Sequence, residues 1–561
     1  MQQTKLQVKY NTAPKRKLAL VSLLLASFMA LMDTTIVNIV IPDILTYFSV
    51  DLSKVSWVTT GYNLAFGILL ISASKLADQF GRKKVFIGGL IAFTLTSLLC
   101  GISTSIQALI VFRILQGLTA SFIVPVTMPI AIDIVDKNKK GLIIGVWGAV
   151  SGFAAALGPV LGGILSEEFG WQSIFFVNIP IGIITLALAT FYLRETYDHN
   201  ASKKIDYLGS ITLTISLFCL TFSFAKASEL GWSSQPIILL FISFLATFLL
   251  FLFIEKKAAE PIFPLNFLKV RTFTFSSLTL FILGVSLTSG TLLITIYLTN
   301  VMNFSSMKSG LIISSLAFSS MFTSIISGKF SDKLGGVKFS FFGMLGMCIS
   351  TFLYATLNQD SSLYYIILLL CLTGLSLGMV IGPAMGSSIR QISENKVGIA
   401  SGTINMMRAV GQALGIALLT TVLTMNISNY ISIAKNESIE IVNNSKILKT
   451  EVKSEIISSL KSDTKITPSS NSIVTDKIKV AETKALQNSP EIYHAEIKKQ
   501  FKQQEQESLK IFKEVSKSFS SNIDKAFSDT FILAGILSFF GIITSLFSDV
   551  NPKRKYKIYN L

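Results

Sequence analysis

Residues 75–84 read Lys75-Leu76-Ala77-Asp78-Gln79-Phe80-Gly81-Arg82-Lys83-Lys84, and a shorter echo, Lys329-Phe330-Ser331-Asp332-Lys333-Leu334-Gly335, stands in the second half of the chain. Each stretch closes one long apolar run and opens another. Each sets an acid and several cations into a tight turn ending on glycine. A charged turn repeated at corresponding places implies two helical halves related in parallel, which is a transporter architecture. A charged turn at a span end also serves topology alone. Its repetition is what points to a cytoplasmic gate, with Asp78, Gly81, Arg82, Lys83 and Asp332 as its candidate residues. Asp78 would pair with Arg82 or sit at a neighbouring helix N-terminus.

Composition agrees with that reading. The chain has 561 residues, 51% of them hydrophobic and only 14% charged, with a mean hydropathy of +0.60. Soluble domains carry about 25% charged residues. A soluble enzyme and a disordered chain are therefore excluded. A span takes about 20 apolar residues, so the apolar content suffices for roughly fourteen. The apolar runs are continuous rather than alternating, which excludes a β-barrel. The first run lacks a small-residue cleavage site and reads as a span, not a signal peptide. Cys100, Cys219, Cys348 and Cys371 lie inside apolar runs with no CxxC pair, as packing residues do. His199 and His494 are the only histidines and lie outside the spans. Histidine metal clusters and histidine proton relays are thus excluded, and no metal or cofactor is expected. An enzyme would need Asp, His or Cys converging on one face, and no such cluster is present.

Apolar runs broken by charges give fourteen spans, near 18–41, 56–75, 84–104, 106–131, 141–165, 171–193, 207–225, 236–254, 272–299, 309–330, 338–358, 362–388, 398–426 and 528–548. With the N-terminus inside, the inner segments hold 28 Lys and Arg, and the short outer loops hold only Lys54, Lys226 and Lys308. That asymmetry follows the positive-inside rule and places both termini in the cytoplasm. The net charge of +17 is mostly an orientation device, helped by anionic membrane lipid, and implies no nucleic acid. The expected organisation is a tail (1–17), a six-helix bundle (18–193) and a linker region with two extra spans (194–271). Spans nine to thirteen follow (272–426), then a long outer segment (427–527), the last span (528–548) and an inner tail (549–561). The outer segment is nearly balanced, with 16 Lys against 13 Asp plus Glu. Ile497, Phe501, Phe512, Val515, Phe519 and Ile523 recur at helical spacing. Pro468 and the run around 469–472 suggest a turn, so a helical hairpin is expected. It is either a tolerated insertion or a docking site for an envelope partner.

Three charges lie well inside spans, where each costs roughly 2.5–3.5 kcal/mol on insertion scales. Asp33 sits eight residues before Ile41, about 12 Å from the outer end, and Arg113 seven after Ile106, about 10 Å deep. A carboxylate facing a cavity beside an arginine can bind and release a proton as the arginine moves. The alternative is a static ion pair, which is often no better than apolar packing. Arg408 lies near mid-depth with no obvious acid partner; it could face water, an anionic cargo group or backbone carbonyls. Asn38, Tyr62, Asn63, Gln116, Asn178, Tyr297, Asn405 and Gln412 are polar residues inside spans that either line a cavity or join helices. Gly148, Gly152, Gly158, Gly162 and Gly163 give span five small-residue spacings for close helix contact, and Pro159 permits a bend.

These residues resemble the fourteen-span drug:proton antiporter group of the major facilitator superfamily, the EmrB and QacA type. Leu31 to Pro42 resembles that group's first-span motif, and Ser74 to Lys83 the superfamily's loop motif. Arg113-Ile114-Leu115-Gln116-Gly117 resembles the fourth-span motif, and Gly148 to Gly163 the fifth-span antiporter motif. Trp171 to Gly182 resembles the sixth-span signature. The resemblance covers all spans but not 427–527. It implies an all-α polytopic fold of two six-helix bundles plus two additional helices. It implies that Asp33 carries the proton with Arg113 as its modulating partner, that Asp78 and Arg82 form the cytoplasmic gate, and that Gly158 and Pro159 shape span five for exchange. Ser74 departs from a usual glycine and Gln79 from a frequent arginine. Residues 309–330 hold no acid, where relatives exporting dications carry one, which favours monocationic, neutral or acidic amphiphiles. The expected protein is a monomeric, proton-coupled multidrug exporter of the cytoplasmic (inner) membrane. The alternatives are an exporter of a native lipid, siderophore or metabolite and, more distantly, a sensor without transport.

Overall fold

Short polar caps and prolines fix the helix ends. Asp51, Ser105, Asp206 and Ser305 each accept a backbone N–H from the first turn of the helix they precede, satisfying donors that a helix start leaves open. The computed structural model describes residues 13–549 apart from 136–139, 197–205, 259–260, 262, 264, 390–391, 393–396, 446, 449, 463–481, 484–485, 488–489 and 491–492. The architecture is all-helical. Twelve helices among the described residues are long and apolar enough to cross a membrane. Two further helices, Leu52–Phe80 and Lys140–Phe169, have 29 and 30 residues and coincide with the expected second and fifth spans.

The first half comprises α1 (Ala13–Phe48), α2 (Leu52–Phe80), α3 (Arg82–Gly101), α4 (Ile106–Ala120), α5 (Val124–Ile134), α6 (Lys140–Phe169), α7 (Ser173–Phe176) and α8 (Asn178–Tyr192). The single span expected over 106–131 is present as Ile106–Ala131, with a short turn inside it that divides α4 from α5. Pro125 lacks an N–H to continue the α4 ladder but suits the first turn of α5. Two helices follow, α9 (Tyr207–Leu230) and α10 (Gln235–Lys257). They pack on each other and, through Leu213, Leu217 and Phe251, on α2 at Leu64 and Ile68. Many large apolar side chains of α10, such as Leu245, Leu249 and Phe253, are exposed. An apolar outer surface of this kind suits lipid rather than water.

The second half holds α11 (Arg271–Thr288), a short α12 (Ile294–Ile296), α13 (Ser306–Leu334), α14 (Gly336–Tyr354), α15 (Leu363–Ile389), α16 (Val397–Asn444), α17 (Thr450–Ser462) and α18 (His494–Ser545). Two π-helical turns, Ser289–Leu293 and Tyr297–Val301, flank α12. Turns of that kind are frequent at functional sites.

The repeat seen in the sequence has a shared local geometry. Gly81 and Gly335 both take positive φ, +107° and +89°, a region open to glycine. The helix after each then receives a carboxylate at its N-terminus. Glu195 accepts from the backbone N–H groups of Lys83 and Lys84 at 2.8 and 3.2 Å, and Asp549 from that of Gly336 at 2.8 Å. Each acid follows the last helix of its half.

Residues 357–360 and 423–530 form a separate compact unit. Its core joins Ala434 and Val442 of α16, Ile456 and Leu460 of α17, and Phe501, Ile511, Val515 and Phe519 of α18. Ser518 and Asn522 donate to Glu437, and Tyr430 donates to Asp529 at 2.7 Å. The expected turn at Pro468 and 469–472 lies outside the described residues.

Candidate functional site

Asp33 and Arg113 are both fully buried and joined directly, Arg113 Nη1 donating to Asp33 Oδ2 at 2.5 Å. Four helices build the surroundings. From α4, Gln116 Nε2 donates to Asp33 Oδ1 at 3.3 Å, and from α8, Asn178 Nδ2 donates to the same oxygen at 3.0 Å. From α2, the Val58 carbonyl accepts from Arg113 Nε at 3.1 Å, and the Tyr62 ring lies 4.1 Å under the guanidinium carbon. Gln116 Oε1 also accepts from Arg113 Nη1 at 2.7 Å. Ser97 of α3 holds Asn178 at 3.0 Å. Arg113 Nη2 is the guanidinium nitrogen left without a hydrogen-bond partner among the described residues. Two charges taken out of water need such bonds to offset desolvation. The arrangement leaves Asp33 acceptor-only and fully engaged, so adding a proton must disturb it.

A cavity of about 560 Å³, open space at its mouth included, has α1 in its wall. From α1 it is lined by Thr35, Asn38 and Ile39, two to six residues beyond Asp33, and from α6 by Pro159. Leu287 at the end of α11, Thr291 in the first π-helical turn, Thr295 in α12, and Ile313, Leu316 and Ser320 of α13 line the other side. The lining is mostly apolar with a few hydroxyls and one amide, the chemistry of sites for small organic molecules. Asn38 therefore reaches the cavity. Tyr62, Gln116 and Asn178 do not line open space; they are fully buried against the ion pair, and Asn63 and Tyr297 are also buried. Asn405, Arg408 and Gln412 are partly accessible along one face of α16.

Span five is fitted into its neighbours at its glycines. A Cβ on Gly158 would collide with Thr35, and one on Gly162 would lie 2.5 Å from Ile39. On the other side, a Cβ on Gly163 would lie 2.5 Å from the Ser306 carbonyl oxygen, and one on Gly310 of α13 would collide with the Pro159 carbonyl. Gly148 and Gly152 lie in α6, within a stretch whose packing is outside the described residues. Asp78 and Asp332 end α2 and α13, with side chains likewise outside the described set. Arg82 pairs with Asp133 of α5 at 2.7 Å, and Lys83 Nζ donates to the Thr190 carbonyl at 2.8 Å.

Two long helices packed closely across the halves, a buried carboxylate–arginine pair and a mid-molecule cavity are a transporter's parts. The Major Facilitator Superfamily model matches residues 23–416. The chain belongs to the major facilitator superfamily. It is similar to Multidrug resistance protein 3 of Bacillus subtilis (strain 168), 31% identical over 418 residues, covering 74% of this chain and 80% of that one. It is also similar to the Tetracenomycin C resistance and export protein of Streptomyces glaucescens, 30% identical over 72% of this chain and 74% of the relative. Among solved structures, a bacterial homologue of the human lysosomal transporter Spinster in an inward-facing, occupied conformation matches with a TM-score of 0.58. That match has 14% identity over 97% of this chain and 100% of the other, and it shows the fold.

As a multi-pass membrane transporter of this superfamily, the protein also shows contacts that span-by-span reading missed. At the C-terminal ends of α1 and α6 and the start of α13, Asp43 accepts from Ser166 at 2.5 Å and from Ser306 at 2.9 and 3.1 Å. Glu167 accepts from the Met307 backbone N–H at 3.1 Å, at the start of α13. Asp43, Glu167, Asp133 and Glu195 all sit at span ends, where an acid reads as topology. Only the pairing across helices gives them a role.

Proposed function

We propose that the protein is a fourteen-span, proton-driven exporter of lipophilic compounds, of the EmrB and QacA type, in the cytoplasmic (inner) membrane with both termini inside. The fourteen count adds α2 and α6 to the twelve long apolar helices. The observation that carries the proposal is the fully buried Asp33 carboxylate, held by Arg113, Gln116 and Asn178 two residues from the cavity wall. The names of the relatives, with multidrug or tetracenomycin C resistance in them, support lipophilic drugs as cargo. In this topology the Asp43 and Gly163 contacts close the outer side. Protonation of Asp33 neutralises the acceptor of three bonds and loosens α1 from α4 and α8. Cargo and proton exchange because each binds one state better, since a ligand shifts an equilibrium only through differential affinity. Asp78, Arg82 and Lys83 serve as the cytoplasmic gate.

The test uses inverted membrane vesicles with an acid interior and a pH dye. Candidate lipophilic compounds should dissipate the gradient with wild type and not with Asp33→Asn. Equal responses across cationic and acidic amphiphiles would remove Asp33 from the coupling role. One observation favours a second reading, export of a native lipid, siderophore or metabolite with an envelope partner. Residues 423–530 carry their own apolar core, more than a tolerated loop needs. Replacing 430–525 by a short linker separates the two: drug transport persists in the first reading and all transport is lost in the second.

A further inference from the structure

Arg408 is the charge that the proton site leaves unexplained. It lies eleven residues into α16, about 16 Å along the helix. Among the described residues no ion pair or hydrogen bond reaches its guanidinium. Its environment is defined by the rest of the helix. Met406, Val410 and Ala413 pack into the core formed with α2, α9 and α10. Gly411 and Gly415 abut Phe281 and Val285 of α11. Asn405, Arg408 and Gln412, at steps of three and four, occupy the sector between those two contacts, and each keeps part of its surface accessible. Arg408 is thus half-buried between two faces of α16 that are packed on other helices. A half-buried cation on such a sector borders space between helices.

Two contacts place it relative to the cavity and the proton site. The Arg408 backbone abuts Gly284 of α11. Leu287, which lines the cavity, is three residues further along α11, about 5 Å. Ala409 meets Gly67 of α2. Gly67 is nine residues from Val58, the carbonyl that holds Arg113, hence about 13 Å toward the inner end. Asp33 is engaged by Arg113, Gln116 and Asn178 and makes no ion pair with Arg408. A mid-membrane arginine without a partner is costly, and its planar fork matches carboxylate, sulfonate and phosphate oxygens in pairs.

We propose that Arg408 anchors the acidic headgroup of the cargo, so that this cavity takes anionic amphiphiles with the apolar body lying toward Leu287, Ile313 and Leu316. The inference deepens the exporter reading and rests on it for the cavity being a cargo site. Its test is equilibrium binding to the purified full-length chain in phosphatidylcholine nanodiscs, with no gradient. The probes are radiolabelled dodecanoate and dodecyltrimethylammonium, which share a tail and differ in headgroup charge. Wild type should bind dodecanoate in preference to the cation. Arg408→Gln should weaken dodecanoate at least tenfold and leave the cation within twofold, with Arg408→Lys intermediate. A second arm adds phosphatidylglycerol: displacement of dodecanoate identifies a lipid headgroup as a source of the same chemistry, and no displacement leaves free amphiphiles as the source. Equal loss of both probes in Arg408→Gln, or a wild type that prefers the cation, overturns the anchor. The wild-type comparison decides even if a variant fails to fold. Arg408-dependent dodecanoate binding without proton-linked export would overturn the exporter reading instead.

Discussion

In the proposed topology, replacing Gly163 by alanine should drive the transporter toward its outward-open state. The added Cβ would sit 2.5 Å from the Ser306 carbonyl oxygen and 2.7 Å from Met307 Cα. Ordinary contact begins near 3.4 Å, so α6 and α13 must part by about 0.9 Å where they are closest. Both neighbours are backbone and cannot rotate away. Overpacking of this kind costs about 1–3 kcal/mol. The gain in helix propensity from glycine to alanine does not offset it, because α6 is a helix in both states and that gain cancels. The cost falls only on the state in which the two helices touch, so the outward-open population should rise about 5- to 150-fold. The assay is labelling of Asn38→Cys, at the cavity wall, by a membrane-impermeant thiol reagent added outside, in a background lacking the four native cysteines. The labelling rate follows the outward-open population. Gly328→Ala on α13 is the control, since a Cβ there meets nothing within 4 Å. An unchanged rate in Gly163→Ala, or an equal rise in Gly328→Ala, would refute the close contact as what holds the outer side shut.

The other contacts make separate predictions. Asp43→Ala removes the acceptor shared by Ser166 and Ser306; bonds to a charged group are worth about 1.5–3 kcal/mol, so the same labelling rate should rise at least tenfold, and less in Asp43→Asn. Glu195→Ala takes the carboxylate from the α3 N-terminus and should destabilise the purified protein by about 0.5–2 kcal/mol, read as a lower thermal midpoint that Glu195→Gln partly restores. Arg82→Gln breaks a pair whose acid is substantially exposed; surface pairs contribute at most about 1 kcal/mol, so its melting should barely move. Ile456→Ala opens the core of the 423–530 unit at a cost of about 2–5 kcal/mol and should expose that unit to limited proteolysis while Asp33-dependent transport in vesicles persists.

Most helices were legible because lipid demands long apolar runs. Helix ends were less so. The thirteenth span was expected to stop at 426, and α16 runs on to Asn444. No glycine or proline stands between Ile416 and Asn444, so polarity there marked a change of surroundings and not the end of a helix. The pairing of Asp33 with Arg113 could be expected from two charges at similar depth. Gln116, three residues from Arg113, shares its face and could be placed by spacing alone. Asn178 could not, because its partner lies 145 residues away and an amide at that depth serves equally as cavity lining. The same holds for Glu195, whose carboxylate closes the helix after the charged turn although nothing in its own neighbourhood indicates it.

Helix α1 connects the parts into one device. Asp33, the cavity residues Thr35, Asn38 and Ile39, and the outer acceptor Asp43 lie within eleven residues of a single helix, about 15 Å from first to last. Its far side is fixed by span five, where Gly158 and Gly162 admit Thr35 and Ile39. A helix held by carboxylates at two points, Asp33 near its middle and Asp43 near its end, cannot shift at one without loading the other. In the proposed proton-driven reading, bonds from α4 and α8 to charged Asp33 fix the register of α1, and Asp43 then meets Ser166 and Ser306. Hydrogen bonds to an ionised acceptor are roughly twice as strong as neutral ones, so on that reading a proton on Asp33 would halve the hold of three donors together. The released helix would then turn, withdrawing Asp43 from α13 and moving Asn38 relative to the cavity. Proton binding, the Ser306 contact and the cavity wall would thereby be linked through one rigid element.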